Sequence, residues 1–534
     1  MNNRTKLWMP VVFAALIITG MFIGAKLTPV NRMFSGSMSA SIYNYNKLQD
    51  ILFLIERDYV DMVDQDSLVD MAIQGMLRQL DPHSVYITAD QMAAIQEEIT
   101  GNFEGIGVQF SIRRDTVLVM NVIGGGPAES AGLLAGDRVV NVDDKDIAGK
   151  GISNEEVMKL LKGPKGSAVK VEVVRPGLKE KQTFSITRNV IVTSSIEAAH
   201  MLTRRTGYLK LSSFTETTYA DFMEEMATLN DGGMRNLVLD LRGNGGGLLD
   251  QAIRIANEFL GKKELIVYTM GKTGRKRIHA ANGKGTYQKT GLVILIDDFS
   301  ASASEIIAGA IQDNDRGMIV GRRSFGKGLV QQQISLTDGS ALRITTERYY
   351  TPAGRSIQKP YSGTQEEYYG ELMDRFHNGG MQSPDSAPHA DSLKFQTLKK
   401  KRTVYGGGGI TPDYFIPLHR KHDSELFRSL SGSGVIFEFA SDYADRNRMN
   451  IMEKYDSVSY AGQFRLDESE MRSFWAFAAT KGVPSDKAAQ TQAEGRIRFL
   501  IKAFVARDLF GNETFYRIMN QQDDSVKKAL SILE

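Results

Sequence analysis

The strongest constraint on the fold is an alternation of short apolar runs and helical segments between residues 190 and 360. An alternation of this kind is typical of an α/β domain, in which helices pack on a sheet. The predicted strands are 207–211, 236–240, 292–297 and 318–321, and the predicted helices are 215–229, 248–261 and 303–313.

The spacing of apolar residues changes between helical and strand-like along the rest of the chain, which indicates several domains. The predicted fold class is therefore α/β multidomain. Residues 101–190 read as a small β-rich domain of short strands with one helix at 153–161, opened by a Ser153–Glu156 capping box. The predicted divisions are a transmembrane signal anchor at 1–30, a helical region at 40–100, the β-rich domain at 101–190, the core at 191–360 plus 404–420, a flexible polar insertion at 361–403 and a helical region at 421–534.

Composition excludes several classes of protein. The chain has 534 residues, a formal net charge of +2 and no cysteine. The small net charge argues against nucleic-acid binding, and the short basic run at 399–402 sits in a polar loop. Without cysteine there are no disulfides, no zinc–thiolate sites and no cysteine nucleophile. No metal or cofactor is predicted.

The N-terminus predicts export. Arg4 and Lys6 precede an apolar run at 7–25, close to the roughly 20 residues that cross a bilayer. A small-x-small cleavage site is missing because Ile23 stands three positions before a cut after Ala25. An uncleaved anchor is favoured over a cleaved signal peptide. The bulk of the chain is then expected in the periplasm or another extracytoplasmic space, anchored to the inner membrane.

Three serines at a predicted strand-to-helix turn are candidate nucleophiles. Ser300, Ser302 and Ser304 precede Glu305, and Ser302 with Glu305 also fits a plain helix cap. The residues alone leave the choice among the three serines open. A serine can act as a nucleophile without histidine when a neutral lysine removes its proton.

Lys327 is the candidate base. It stands between two glycines at or near the start of a predicted strand, so residues 327, 329 and 331 point to one face. A lysine base must be neutral, which requires an apolar site without a carboxylate partner. Gln331 can orient the amine without holding it charged. An ordinary surface lysine is the alternative.

A glycine-rich turn at 243–247 follows the strand at 236–240. Bare backbone N–H groups there suit a negatively charged oxygen, although an ordinary turn explains the glycines as well. A phosphate-binding loop is excluded because the Lys-Ser/Thr pair that closes one is missing.

The segments at 103–108, 126–133 and 136–142 resemble PDZ domains over residues 103–188. Such domains bind a peptide C-terminus through loop amides and an open strand edge. The resemblance implies that Ile106, Gly107 and Val108 supply the loop amides. The alternative is that these glycines only permit a tight turn.

The whole set of motifs resembles the carboxy-terminal processing peptidases, or tail-specific serine proteases. The resemblance implies a crotonase- or ClpP-like core, Ser302 as nucleophile, Lys327 as base and Gln331 orienting the lysine. It also implies oxyanion donors at Ala303 and Gly246, an acyl-enzyme, protein substrates bound by their C-termini, and possible homo-oligomers. The motifs that carry it are 81–84, 240–247, 300–305, 325–331, 350–358 and 408–413.

Two other functions are weighed against this one. A membrane-tethered PDZ adaptor with an inactive protease fold would share the domains, but both dyad residues and the glycine turn are present. A trypsin-like protease needs a Gly-x-Ser-Gly loop with His and Asp, and none of the seven histidines has that setting. The insertion at 361–403 and the region after 420 depart from the family pattern.

Overall fold

The structure is a computed structural model that describes residues 38–361, 363–383, 393–418, 424–483 and 485–534. The predicted anchor at 1–30 lies outside these residues. Within the described part, no helix combines the length and apolar character that crossing a bilayer requires. The chain divides into two units, Met1–Gln79 and Leu80–Glu534.

The first unit contains the helices α1 (Met38–Asp58) and α2 (Gln65–Leu77). The first begins two residues before the helical region predicted at 40–100 and the second lies within it, so the prediction of a helical N-terminal part is confirmed.

The second unit begins with a strand, a helix and the β-rich domain. In β7 the residues Val169, Val171 and Val173 are buried while their neighbours are more exposed, which is the period-two pattern of a half-buried strand. The Ser153–Glu156 capping box forms as predicted, with the Glu156 N–H donating to the Ser153 hydroxyl at 3.2 Å. The elements are β1 (Val85–Ile87), α3 (Ala89–Thr100), β2 (Asn102–Gly105), β3 (Val108–Arg113), β4 (Thr116–Val122), α4 (Pro127–Ala131), β5 (Arg138–Val142), β6 (Lys145–Asp146), α5 (Asn154–Leu161), β7 (Ala168–Val174), β8 (Gln182–Thr187) and β9 (Asn189–Val192).

The core follows the predicted alternation, and the strand at 318–321 and the helix at 303–313 have the predicted bounds. Its elements are β10 (Ile196–Met201), β11 (Thr206–Leu211), α6 (Thr218–Asp231), β12 (Asn236–Asp240), α7 (Leu249–Phe259), β13 (Leu265–Gly271), β14 (Lys276–Ala280), β15 (Gly291–Ile296), α8 (Ala303–Asp313), β16 (Met318–Gly321), β17 (Leu329–Ser335) and β18 (Ala341–Tyr350).

Polar composition predicts a flexible insertion at 361–403, and the described residues of this segment, 361, 363–383 and 393–403, contain regular secondary structure. It contains a helix, α9 (Gln365–His377), whose Thr364 hydroxyl accepts a hydrogen bond from the Glu367 N–H at 3.2 Å. A short hairpin of β19 (Lys394–Gln396) and β20 (Thr403–Tyr405) follows, and β21 (Tyr414–Phe415) returns to the core. The helix forms because its inward side chains, Tyr368 and Arg375, are buried against the core.

The C-terminal region is helical, as predicted. The predicted core positions Phe474, Ile497 and Ile518 are fully buried there. Its helices are α10 (Glu425–Gly432), α11 (Val435–Lys454), α12 (Ser457–Gln463), α13 (Glu468–Thr480), α14 (Lys487–Phe510), α15 (Asn512–Met519) and α16 (Asp524–Leu533).

The main sheet has the strand order β10-β11-β12-β15-β16-β21. Only the β10–β11 pair is antiparallel. A parallel sheet is usually covered on both faces. Here one face packs on α6, α7 and α8, and Val526 and Ala529 of α16 cover the other. A second sheet, β1-β18-β13-β14 with β17 on β18, stands beside it.

Candidate active site

Three neighbouring parallel strands bring the predicted site together at their carboxyl ends, where open α/β sheets bind their ligands. β12 runs into the glycine turn, β15 leads to the start of α8, and β16 leads to the segment before β17. The cleft at this edge has a volume of about 790 Å³. Its lining includes Gly245, Gly246, Gly247, Ser302, Ala303, Lys327, Gln331, Arg343 and Tyr349.

Ser302 holds a strained backbone immediately before α8, with φ 54° and ψ −112°. Positive φ is costly for a residue with a Cβ and is found mainly where function requires it. The Ser302 N–H donates to Glu305 Oε2 at 2.8 Å, and the Ser302 hydroxyl faces the Glu305 N–H in a capping-box arrangement without forming a cap hydrogen bond. The helix-cap interpretation therefore holds for the Glu305 side chain, while the Ser302 hydroxyl lines the cleft.

The other two serines are occupied and fully buried. The Ser300 hydroxyl donates to the Leu241 carbonyl at 2.8 Å, and the Ser304 hydroxyl donates to the Asn244 carbonyl at 3.0 Å. Both hold the glycine turn against the start of α8. Sequence reasoning could not separate the three serines, and their environments separate them physically in favour of Ser302.

Lys327 lies two residues before β17 and extends into the same cleft. Its Nζ donates to Gln331 Oε1 at 3.1 Å, and the Gln331 amide donates in turn to the His83 carbonyl oxygen. No carboxylate of the described residues forms an ion pair with this amine. Burial lowers the pKa of Lys327 below its ordinary value and the positive charge of Arg343 lowers it further, while the charges of Glu305 and Asp81 oppose the fall in part.

Glu305 connects the segments that carry the serine and the lysine. Its carboxylate accepts hydrogen bonds from the N–H groups of Ser302, Gly326 and Lys327 at 2.8 to 2.9 Å and from the Ser324 hydroxyl at 2.5 Å. Burial raises the pKa of Glu305 to about 7, while these four donors oppose the rise. Sequence reasoning assigned Glu305 only to the helix cap, because its partners at 324–327 are distant in sequence.

Tyr349 is a second residue that the sequence did not reveal. It is 1% exposed, and its hydroxyl reaches the carbonyl oxygens of both Ser302, at 3.1 Å, and Lys327. Tyr349 therefore bonds the carbonyl groups of Ser302 and Lys327, and Glu305 bonds their N–H groups.

The glycine turn packs against Ser302. A Cβ at Gly246 would lie 2.7 Å from the Ser302 Cβ and 3.1 Å from the Ala303 nitrogen, and φ there is +106°, so only glycine fits. The Gly246 N–H, predicted to be an oxyanion donor, is occupied because it donates to Asn244 Oδ1 at 2.9 Å. In the described part of the chain, the N–H groups of Gly245, Gly247 and Ala303 donate no hydrogen bond, so all three are free donors in the cleft that Ser302 lines.

The loop at 81–84 contacts Lys327 indirectly, through Gln331. Asp81 Oδ1 accepts hydrogen bonds from the N–H groups of His83 and Ser84, both at 2.9 Å, and from the Thr345 hydroxyl at 3.2 Å. The loop thereby holds the His83 carbonyl oxygen that receives the Gln331 amide. Burial, reinforced by the charge of Lys327, lowers the pKa of His83 to about 4, so its ring is neutral at neutral pH.

The predicted peptide-binding loop lies at an open edge of the β-rich domain. β3 is the terminal strand of the order β3-β4-β5-β7-β8. The carbonyls of Ile106 and Gly107 accept hydrogen bonds from Ala128 and Ile123, while no described residue receives a hydrogen bond from the N–H of either residue. Val108 begins the edge strand. An unpaired edge beside free amides is the arrangement that strand addition by a peptide requires.

Comparison with known families matches the chain in separate segments. Peptidase family S41 matches residues 205–368, and the PDZ domain matches 105–187. The activating protease CtpB N-terminal domain matches 23–91, and a family of unknown function matches 426–511.

The match with each of two curated relatives extends over most of that relative's length. A carboxy-terminal-processing protease of Bartonella bacilliformis is 36% identical over 348 residues, which cover 64% of this chain and 79% of that protein. The carboxy-terminal processing protease CtpA of Bacillus subtilis is 33% identical over 377 residues, covering 70% and 79%. Among solved structures, a photosystem II D1 C-terminal processing protease is 32% identical, covers 59% of this chain and 84% of that chain, and has a TM-score of 0.34.

The two family matches and the curated relatives indicate the same family. The chain belongs to the carboxy-terminal processing proteases of peptidase family S41, serine proteases that carry a PDZ domain.

Proposed function

We propose that this chain is an endopeptidase that cleaves peptide bonds with a Ser302–Lys327 dyad through an acyl-enzyme. One observation carries the proposal: a Ser302 hydroxyl that forms no cap hydrogen bond and a lysine with a lowered pKa and no ion-pair partner line one cleft. This combination is what a serine nucleophile with a lysine base requires.

The reaction begins with neutral Lys327, which accepts the Ser302 hydroxyl proton as the serine oxygen attacks the substrate carbonyl. Gln331 accepts a hydrogen bond from the amine and keeps it directed into the cleft. The negative oxygen that forms is stabilised by the Ala303 N–H and a glycine N–H of the turn. Gly245 and Gly247 are the better glycine candidates because the Gly246 amide is already bonded to Asn244.

The tetrahedral intermediate collapses when the protonated Lys327 gives its proton to the leaving amine. The acyl group is then bonded to the Ser302 oxygen. Lys327, neutral again, removes a proton from water, the water oxygen attacks the ester, and Ser302 leaves with a proton returned from the lysine. No metal or cofactor takes part in this scheme.

Substrates are proteins captured by an exposed C-terminus. A peptide adds as a strand to β3, and its carboxylate binds the amides of Ile106, Gly107 and Val108, which leads the chain toward Ser302. The open edge and the unbonded amides of Ile106 and Gly107 support this route.

Location and assembly rest on the sequence and the resemblance alone. We propose that residues 7–25 anchor the protein in the inner membrane with the enzyme outside the cytoplasm, because basic residues precede the apolar run. We also propose that copies of the chain associate, as the family resemblance implies.

Two quenched peptides that differ only in a free or an amidated C-terminus test this function. Full-length enzyme is expected to cleave the free-carboxylate peptide faster. The amidated peptide has no charged carboxylate to accept hydrogen bonds from the loop N–H groups. Ser302→Ala is expected to bind the peptide but not cleave it, whereas Ser335→Ala, which makes the same change at an exposed serine of β17, keeps wild-type turnover. Cleavage by Ser302→Ala would refute the dyad, and equal rates on both peptides would refute capture by the C-terminus.

The pH dependence tests the state of the lysine. Because the neutral amine is the active form, activity is lost as pH falls through the Lys327 pKa. Arg343→Met removes a positive charge that lowers this pKa, so the acid limb of kcat/KM against pH should move to higher pH. Arg348→Met is the matched control, because this arginine of the same strand bonds Tyr361 instead. An unmoved limb in Arg343→Met would contradict the assignment of that limb to Lys327.

A further inference from the structure

The helix α9 packs directly behind the segment that carries Lys327. Arg375, 8% exposed, donates from Nη1 to the carbonyls of Arg323, at 3.3 Å, and Ser324, at 3.0 Å. Its Nη2 donates to the Phe325 carbonyl at 3.4 Å. Three successive carbonyls before Gly326 and Lys327 are therefore held by one side chain of this helix.

Tyr368, about two turns earlier on the helix, is 4% exposed. Its ring packs edge-on against Phe325, with centroids 5.9 Å apart. Its hydroxyl lies 2.9 Å from His83 Nε2 and 3.2 Å from Gln358 Nε2. The Gln358 amide nitrogen can only donate, so the hydroxyl accepts there and shares a second hydrogen bond with the neutral His83 ring.

The two partners of this hydroxyl, His83 and Gln358, are each connected to the Lys327 segment by further hydrogen bonds. Gln358 Oε1 accepts a hydrogen bond from the N–H of Gly328, the residue after the lysine, at 2.8 Å. The His83 carbonyl accepts the Gln331 amide, whose oxygen receives the Lys327 amine. One buried hydroxyl thus fixes the backbone beside the lysine and the side chain that orients its amine.

We propose that Tyr368, supplied by the segment at 361–403, is a positioning residue for Lys327 and acts through His83 and Gln331. The inference rests on the proposed dyad. The start of α9, where the match to Peptidase family S41 at 205–368 ends, is then a part of the catalytic support, not an accessory segment. Tyr368 touches no substrate in this scheme, so its effect is on turnover and on the protonation of the lysine.

Tyr368→Phe tests the proposal because it keeps the ring against Phe325 and removes only the hydroxyl. The loss of one hydrogen bond that orients the base is expected to lower kcat about fivefold, with KM within twofold. The acid limb of kcat/KM should also move to higher pH, because a less confined amine is better hydrated and harder to deprotonate. Tyr361→Phe, which removes a hydroxyl bonded to Arg348, is the control with wild-type kinetics.

The route of the effect is tested in a Gln331→Ala background. If Tyr368 acts through Gln331, adding Tyr368→Phe there should lower kcat less than it does in the wild type. An undiminished loss in that background, or wild-type kcat and pH profile for Tyr368→Phe, would overturn the inference. Lys327→Met is measured alongside: if it stays active, the dyad itself is wrong, whereas an inactive Lys327→Met with an unaffected Tyr368→Phe refutes only the role of Tyr368.

Discussion

Replacing Lys327 with methionine is expected to lower kcat by on the order of 10⁴-fold, because the variant has no group to remove the Ser302 proton. Methionine matches the length of the lysine stem and suits its half-buried site, so the fold should persist. The measurement is steady-state cleavage of a quenched peptide, with circular dichroism melting to verify folding.

The control for Lys327→Met is Lys289→Met, which makes the same chemical change at an exposed position of the core. It should keep wild-type turnover. A folded Lys327→Met enzyme with more than a few per cent of wild-type kcat would mean that another group serves as the base.

Asp313→Asn is expected to destabilise the core by about 3 to 5 kcal/mol, because it leaves a buried guanidinium without its counter-charge. Arg355 and Asp313 are both 0% exposed and form an ion pair at 2.6 Å, and the second carboxylate oxygen accepts the Ala353 N–H at 2.9 Å. Asp313 ends the helix that begins after Ser302, so the loss acts on the element that positions the nucleophile.

Urea unfolding of the full chain, followed by fluorescence and by circular dichroism, measures this loss as a lower transition midpoint for the core. The matched control is Glu438→Gln, which breaks an ion pair with Lys481 whose side chains are about two-fifths exposed. Exposed pairs contribute about 0 to 1 kcal/mol, so this variant should unfold near the wild type. If the two variants unfold alike, the buried pair is not a main support of the core.

The sequence predicted the elements that carry the site because each has a strong local signal. The apolar runs that became β12, β15 and β16 are short and bounded by glycine or polar turns. That these three strands are neighbours in the sheet, which brings the serine, the lysine and the glycine turn together, is shown only by the structure. The local pattern also predicted that Lys327 and Gln331 share a face, and the 3.1 Å hydrogen bond between them agrees with it.

The details that escaped prediction depend on contacts between distant segments. Glu305 looked like a helix cap because its partners at Ser324 and Gly326 lie about twenty residues away. The amide of Gly246 looked free because the fold of the turn, which directs it to Asn244, has no sequence signal. The helix at 365–377 did have one: Thr364 and Glu367 form a capping box that the polar composition of the segment obscured.

The most direct test of the central claim is to identify the residue that is acylated during turnover. The enzyme is mixed with an activated ester such as p-nitrophenyl acetate, quenched in acid, digested and analysed by mass spectrometry. The account predicts an acetyl group on Ser302 that forms faster as pH rises through the lysine pKa and is absent from Ser302→Ala. An acetyl group on Ser300 or Ser304 instead, or undiminished peptide cleavage by Ser302→Ala, would contradict it.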